Sequence, residues 1–288
     1  MTTEQREVVK AFILETALRI LSRKKKRSIA ELRQAMPFHL LFFGEEGIVA
    51  AAYQRSIVTS MGQTLYPGLA RVIAELTYKQ VVLARARSST GIRGELYEGQ
   101  CGAIDRILDD LYAKRRKPAH DQEMKEVLSA RTGSKRNVEV LPDLYVADFL
   151  PGPLFLELKT SLANLDICSE SKRKILTYLA LMHGTGKTEA EAYLGLTYNP
   201  YVRKEDFEHW PVLQMMDMVR QVLVGEDLWN KLGGPGSFHT IVEIVQEVRK
   251  DLVRALNKNT WSRPQGERLP AKAGTRCKGA RRSLPCSI

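Results

Sequence analysis

Cysteine is scarce in these 288 residues: Cys101, Cys168, Cys277 and Cys286 stand far apart, and no two form a C-x-x-C pair. Such spacing supports neither a zinc site nor a disulfide framework, and it points to a reducing cytoplasm. The histidines, His39, His120, His183, His209 and His239, avoid the i, i+4 spacing of helical metal ligands. No apolar run approaches the roughly 18 residues of a membrane helix, and the opening Met1-Thr2-Thr3-Glu4-Gln5 lacks the basic-then-apolar form of a secretion signal. G-x-S-x-G is absent too, so a serine nucleophile has no footing. Gly184-Thr185-Gly186-Lys187-Thr188 has the tail of a phosphate-binding loop without its head, because the first glycine of that motif is replaced by Leu181. Without that glycine the loop amides cannot wrap a phosphate. No internal repeat is present.

What the chain does have is basic charge. Lysine and arginine total 44 against 33 acids, a net charge of +11, which suits a polyanionic partner. Seven of those basic residues and one acid fall in 261–288, so the body keeps only 37 against 32. Charge therefore permits nucleic-acid binding without establishing it. The length can hold one large domain or two small ones; the expectation is one domain over 1–260, with a helical part over 1–94, a core over about 95–182 and a second helical part over 183–260. Beyond it, proline, glycine and arginine predict a basic, disordered tail over 261–288.

Apolar spacing predicts helices over about 2–22, 45–60, 66–87, 95–114, 121–131, 169–181, 211–224 and 237–256. Thr2-x-x-Gln5 and Ser28-x-x-Glu31 are capping boxes by sequence. Between them the basic run 23–27 reads as a solvated connection. The run Phe38 to Phe43 is expected to pack inside. On the 95–114 helix, Glu95 and Glu98 lie three apart, on nearly one face.

The centre of the chain is 141–160. It reads as two strands turned at Pro151-Gly152-Pro153, with Leu154, Leu156 and Leu158 on one face and Glu157 and Lys159 on the other. Folding about Gly152 sets Asp143 roughly opposite Lys159 and Tyr145 opposite Glu157. Two carboxylates and a lysine then gather at the open end, and hard oxygen donors of this kind suit Mg²⁺. Asp148 is a rival acid, but it sits near the turn. Phosphodiester hydrolysis needs an activated water, charge relief at phosphorus and help for the leaving oxygen. Such a cluster can supply all three, with the lysine orienting the water.

These residues carry a resemblance. Pro142-Asp143 followed by Glu157-Leu158-Lys159, with Glu95 and Glu98 on a preceding helix, resembles the signature of the PD-(D/E)XK nucleases. Residues 55–62, 157–160 with Asn164, 197–201 and 227–234 resemble type II restriction endonucleases of the TdeIII kind, and the likeness spans roughly 40–256. The resemblance implies an α/β fold: a restriction-endonuclease-like core with a mixed β-sheet flanked by α-helices, and a largely helical N-terminal part. It implies Mg²⁺ held by Asp143, Glu157 and the Leu158 carbonyl, Lys159 placing the attacking water, and Glu98, or else Glu95, supporting the metal. Asn164, Lys172 and Arg173 would meet double-stranded DNA. A homodimer would cut both strands, and a separate cognate DNA methyltransferase would protect the host site. A repair nuclease of the same superfamily and a non-catalytic DNA-binding module are the alternatives.

Overall fold

The computed structural model describes residues 1–22, 28–83 and 91–258. The basic run 23–27 and the tail 261–288 lie outside them. Both capping boxes form. Thr2 Oγ1 accepts the Gln5 N–H while Gln5 Oε1 accepts the Thr2 N–H, opening helix α1 (Thr3–Ser22). Ser28 and Glu31 do the same for α2 (Ile29–Ala35). Helix α3 (Pro37–Ser60) is interrupted at Gly44, and a π-helical stretch, Met61–Leu65, joins it to α4 (Tyr66–Glu75).

Strand β1 (Val81–Leu83) follows where the helix of 66–87 was expected to continue. Asp148 accepts the N–H groups of Lys79 and Gln80 at 2.8 and 3.1 Å, which turns the chain out of helix and leads Val81 and Val82 onto the sheet. The rival acid is thereby assigned to a turn, and these N–H bonds hold its carboxyl below the usual range against the opposing effect of burial. Strand β2 (Ile92–Tyr97) comes next and pairs with β3 (Lys135–Val140) in a separate antiparallel ribbon. Between them run α5 (Glu98–Tyr112) and α6 (His120–Ser129). Glu95 therefore lies on a strand, so it does not share a helix with Glu98.

Among the described residues, five strands form the main sheet: β1, β4 (Leu144–Val146), β5 (Leu154–Lys159), β6 (Glu191–Leu196) and β7 (Val222–Val224), in that order. β1, β4 and β5 pair antiparallel, and β5, β6 and β7 parallel, which makes the sheet mixed. Helix α7 (Leu165–Gly184) makes the β5–β6 crossover; α8 (Trp210–Met215) precedes β7, and α9 (Glu226–Gly233) and α10 (Ser237–Lys258) are the last elements among the described residues. Two of the five strands thus come from 183–260, expected to be helical. There Asp217 accepts the N–H groups of Val219 and Arg220, ending the predicted 211–224 helix in a turn before β7. Gly184-Thr185-Gly186 caps the C-terminus of α7, where carbonyls and not amides are exposed, so it offers no phosphate cradle.

The strands alternate as expected. Leu144, Val146, Leu154, Leu156 and Leu158 face a core with Val9, Leu69, Ile73, Trp229 and Ile244 from α1, α4, α9 and α10. Phe155 and Tyr145 face the opposite core, built on Ile104, Leu108, Tyr178 and Leu179 of α5 and α7. Both faces of β5 are covered, so a charged residue on it is buried in protein.

One expectation about packing reverses. Phe38, Leu41, Phe42 and Phe43 do not turn inward; they are 79, 78, 79 and 60% exposed. The backbone of Gly44, at φ 64° and ψ −175°, breaks the helical path after Phe43 and leaves the short segment ahead of it on the surface.

Candidate active site

The register pairs Leu144 with Leu156 and Tyr145 with Phe155. Continued by one residue, it sets Asp143 directly opposite Glu157, two positions from the expected pairing with Lys159. An even shift preserves the face, so the acids and the lysine still meet. The turn differs because the chain from 147 to 153 is a full loop. Gly152 sits so close to the neighbouring backbone that a Cβ there would lie 2.3 Å from the Glu189 carbonyl oxygen.

The three groups touch. Lys159 Nζ lies 2.9 Å from Asp143 Oδ2 and 2.5 Å from Glu157 Oε1, bridging the two carboxylates. Asp143 Oδ2 also accepts the Leu158 N–H at 2.8 Å, which anchors the acid to β5. That N–H places the Leu158 carbonyl on the same edge of the strand. The extended register sets Pro142 opposite, and proline has no N–H to give it. The carbonyl is thereby free for another partner.

Glu157 is 1% exposed. Its Oε1 receives a second ammonium, Lys174 of α7, at 3.0 Å, and its Oε2 has no hydrogen-bond partner among the described residues. Burial works to lower the pKa of Lys159, yet the charges of Glu157 and Asp143 and their hydrogen bonds outweigh it, and the net shift is upward. Lys159 is therefore a fixed cation, suited to orienting a water or offsetting negative charge, and not a base.

The donor set fits a hard divalent cation. Two carboxylates stand side by side, held together by an ammonium where repulsion would otherwise part them. Glu157 Oε2 is an unpaired buried oxygen, costly unless something positive meets it. No cluster of three or more His, Cys, Asp or Glu suited to a metal occurs among the described residues. A backbone oxygen, with Leu158 the one oriented for it, would complete the ligand set.

The other expected site residues have separate fates. Glu98 opens α5, and its carboxylate accepts the Ser134 hydroxyl at 2.6 Å, beside the β2–β3 ribbon. Glu95 pairs with Lys135 at 3.7 Å. Asn164 caps α7, accepting the Ile167 N–H. Arg173 is half exposed and pairs with Asp105.

Lys172 corrects the expectation of a DNA contact. It is wholly buried, its Nζ 2.6 Å from Glu123 Oε2 and 2.6 Å from Gln221 Oε1. Cys168, Ser171, Lys172, Ile175 and Leu176 share the buried stripe of α7, and Lys174 falls on the other side. That periodicity is the signal that could have separated the two lysines; placing Lys174 against Glu157 needed the three-dimensional fold.

The stretches quoted for the resemblance gather around the end of β5. Thr197 N–H donates to the Lys159 carbonyl at 3.2 Å, and the Trp229 indole donates to the Thr197 carbonyl at 3.0 Å. The Ser161 hydroxyl donates to the Tyr198 carbonyl. A Cβ on Gly62 would lie 3.3 Å from the Thr160 methyl. They brace the segment that carries Glu157 and Lys159.

Comparison with known proteins identifies the family of the chain. A family model described as type II restriction endonuclease, HinfI, matches residues 1–249. The type II restriction enzyme HgiCII of Herpetosiphon aurantiacus is 26% identical over 216 residues, which cover 74% of this chain and 77% of that protein. HgiEI and HgiBI of the same organism are each 24% identical over 216 residues, covering 74% of this chain and 76% of theirs. The matching family is the HinfI one, where the motif resemblance points to TdeIII.

Proposed function

This chain belongs to the HinfI family of type II restriction endonucleases, and from that premise we propose how the β4–β5 site carries out its reaction. It is a site-specific deoxyribonuclease that hydrolyses phosphodiester bonds of double-stranded DNA. The proposal is that Asp143, Glu157 and Lys159 form a PD-(D/E)XK centre. The observation that carries it is the bridged pair of carboxylates, with the buried Glu157 Oε2 left unpaired.

Asp143, Glu157 and the Leu158 carbonyl would hold Mg²⁺. When bound, the ion supplies charge relief at the phosphate and lowers the pKa of water. Lys159, fixed as a cation, orients the attacking water and offsets negative charge developing on the phosphate oxygens. Lys174 keeps a second positive charge on Glu157 Oε1, so that carboxylate stays oriented while Lys159 serves the substrate. Exposed Arg173 and the polar end of α7 at Asn164 face DNA, with Lys172 now excluded. Two copies of the chain, one per strand, make a double-strand cut, and a separate methyltransferase protects the host site.

Lys159→Ala tests the proposal. The variant should bind cognate duplex with unchanged affinity and cut it roughly 10²–10³-fold more slowly in Mg²⁺, a loss in line with removal of a pre-organised charge. Cleavage at the wild-type rate would remove Lys159 from the chemistry.

A further inference from the structure

We propose that the outward face of α3 around Phe38, Leu41 and Phe42 is the contact between two copies of this chain. The inference rests on the reading above, in which each copy carries one catalytic centre and a double-strand cut needs two. The three side chains stand at i, i+3 and i+4, hence on one helical face, and about four-fifths of each is exposed to water. Phe43 adds to the edge of that face, its ring 6.3 Å from His39. Beside the patch, Arg33 of α2 pairs with Glu45 just past the Gly44 break. An apolar centre with charged groups at its margin is the anatomy of a protein interface.

Area favours a second copy as the occupant. Three phenylalanines and a leucine exposed to this degree offer on the order of 500 Å², at the upper end of what a monomer leaves bare. Two such faces bring together about 1,000 Å², the threshold for a specific contact before the charged margin is added. A patch that meets itself across a two-fold axis needs no complementary surface elsewhere. The backbone also explains why the patch stands out. Gly44 at φ 64° ends the helical path, so the segment carrying the three residues does not continue into the packed part of α3.

The test is the mass of the full-length chain in solution, by light scattering on a sizing column, for the wild type and for Phe42→Glu. The wild type should show twice 32.5 kDa and the variant 32.5 kDa at the same loading. The variant's far-UV circular dichroism should be unchanged, because Phe42 is exposed in the single chain. On supercoiled plasmid carrying the site, the variant should nick one strand and lose at least tenfold in linear product. If Phe42→Glu loses its dichroism signal, Phe38→Ser with Leu41→Ser replaces it, under the same expectation. A wild type of single-chain mass, or a folded variant that remains a pair, overturns the inference and assigns the patch to the 259–288 tail or to another protein. A paired wild type whose Lys159→Ala form still cuts would leave the interface standing and defeat the active-site proposal instead.

Discussion

Replacing Lys172 with methionine separates a structural lysine from a DNA contact. Lys172 and Glu123 are both fully buried, with Nζ 2.6 Å from Oε2. The contact is close but poorly aligned as a hydrogen bond, so charge holds it. Burial pushes the Lys172 ammonium below its usual pKa more strongly than Glu123 raises it. Methionine keeps the stem and leaves the buried Glu123 without its cation. Removing one partner of such a pair costs about 3–5 kcal/mol, which for a domain of this size lowers Tm by roughly 6–15 °C. Lys172→Met with Glu123→Leu removes both charges and should recover most of that loss. Calorimetric melting of the three proteins gives the stability, and fluorescence anisotropy with cognate duplex at 20 °C gives the affinity. The expected result is a large fall in Tm for Lys172→Met, recovery in the double variant, and unchanged DNA affinity in both while folded. An unchanged Tm with weakened binding would refute the structural role and restore Lys172 to the DNA surface.

Lys174→Met should slow single-turnover cleavage by roughly 10–100-fold, the worth of one charge-assisted hydrogen bond to a site carboxylate, and Lys174→Arg should recover most of it; wild-type rates in the methionine variant would show that Lys174 plays no part. Stability should also fall with pH through the titration of His120. Burial, aided by Lys172, holds that imidazole below its usual pKa. Gln221 gives its carbonyl oxygen to Lys172 and to the Asp217 N–H, so its amide nitrogen donates to His120 Nδ1, which must be unprotonated. As pH drops, the unfolded chain takes up the proton first, so the stabilisation is complete above about pH 6.5 and is lost as pH falls below it. His120→Asn should flatten the dependence of Tm on pH between roughly 7 and 5, and an identical slope in both proteins would count against this account.

The sequence was most legible where one local rule decides the outcome. Both capping boxes and α10 follow from short-range pattern. So does the inward face of Leu154, Leu156 and Leu158, because a strand that buries one side must alternate. It was least legible where a distant group overrides local preference. Val81 and Val82 continue a helical apolar pattern, and only the carboxylate of Asp148, far along the chain, turns them onto the sheet. Likewise 222–224 becomes a strand after Asp217 closes a turn.

Parity explains why Asp143, Glu157 and Lys159 meet despite an error in the expected register. Asp143 faces Glu157 instead of Lys159, yet a shift of two residues leaves every side chain on its own face, so the carboxylates and the lysine still converge. A shift of one would have sent Asp143 toward Leu156 and Leu158 and destroyed the site. The helix of α7 has no such tolerance. Lys172, Arg173 and Lys174 point in three directions about 100° apart: one into the core against Glu123, one outward to Asp105, one to the Glu157 carboxylate. A basic run read as a single patch loses that distinction, and on this helix the distinction separates a stability residue from one that touches Glu157.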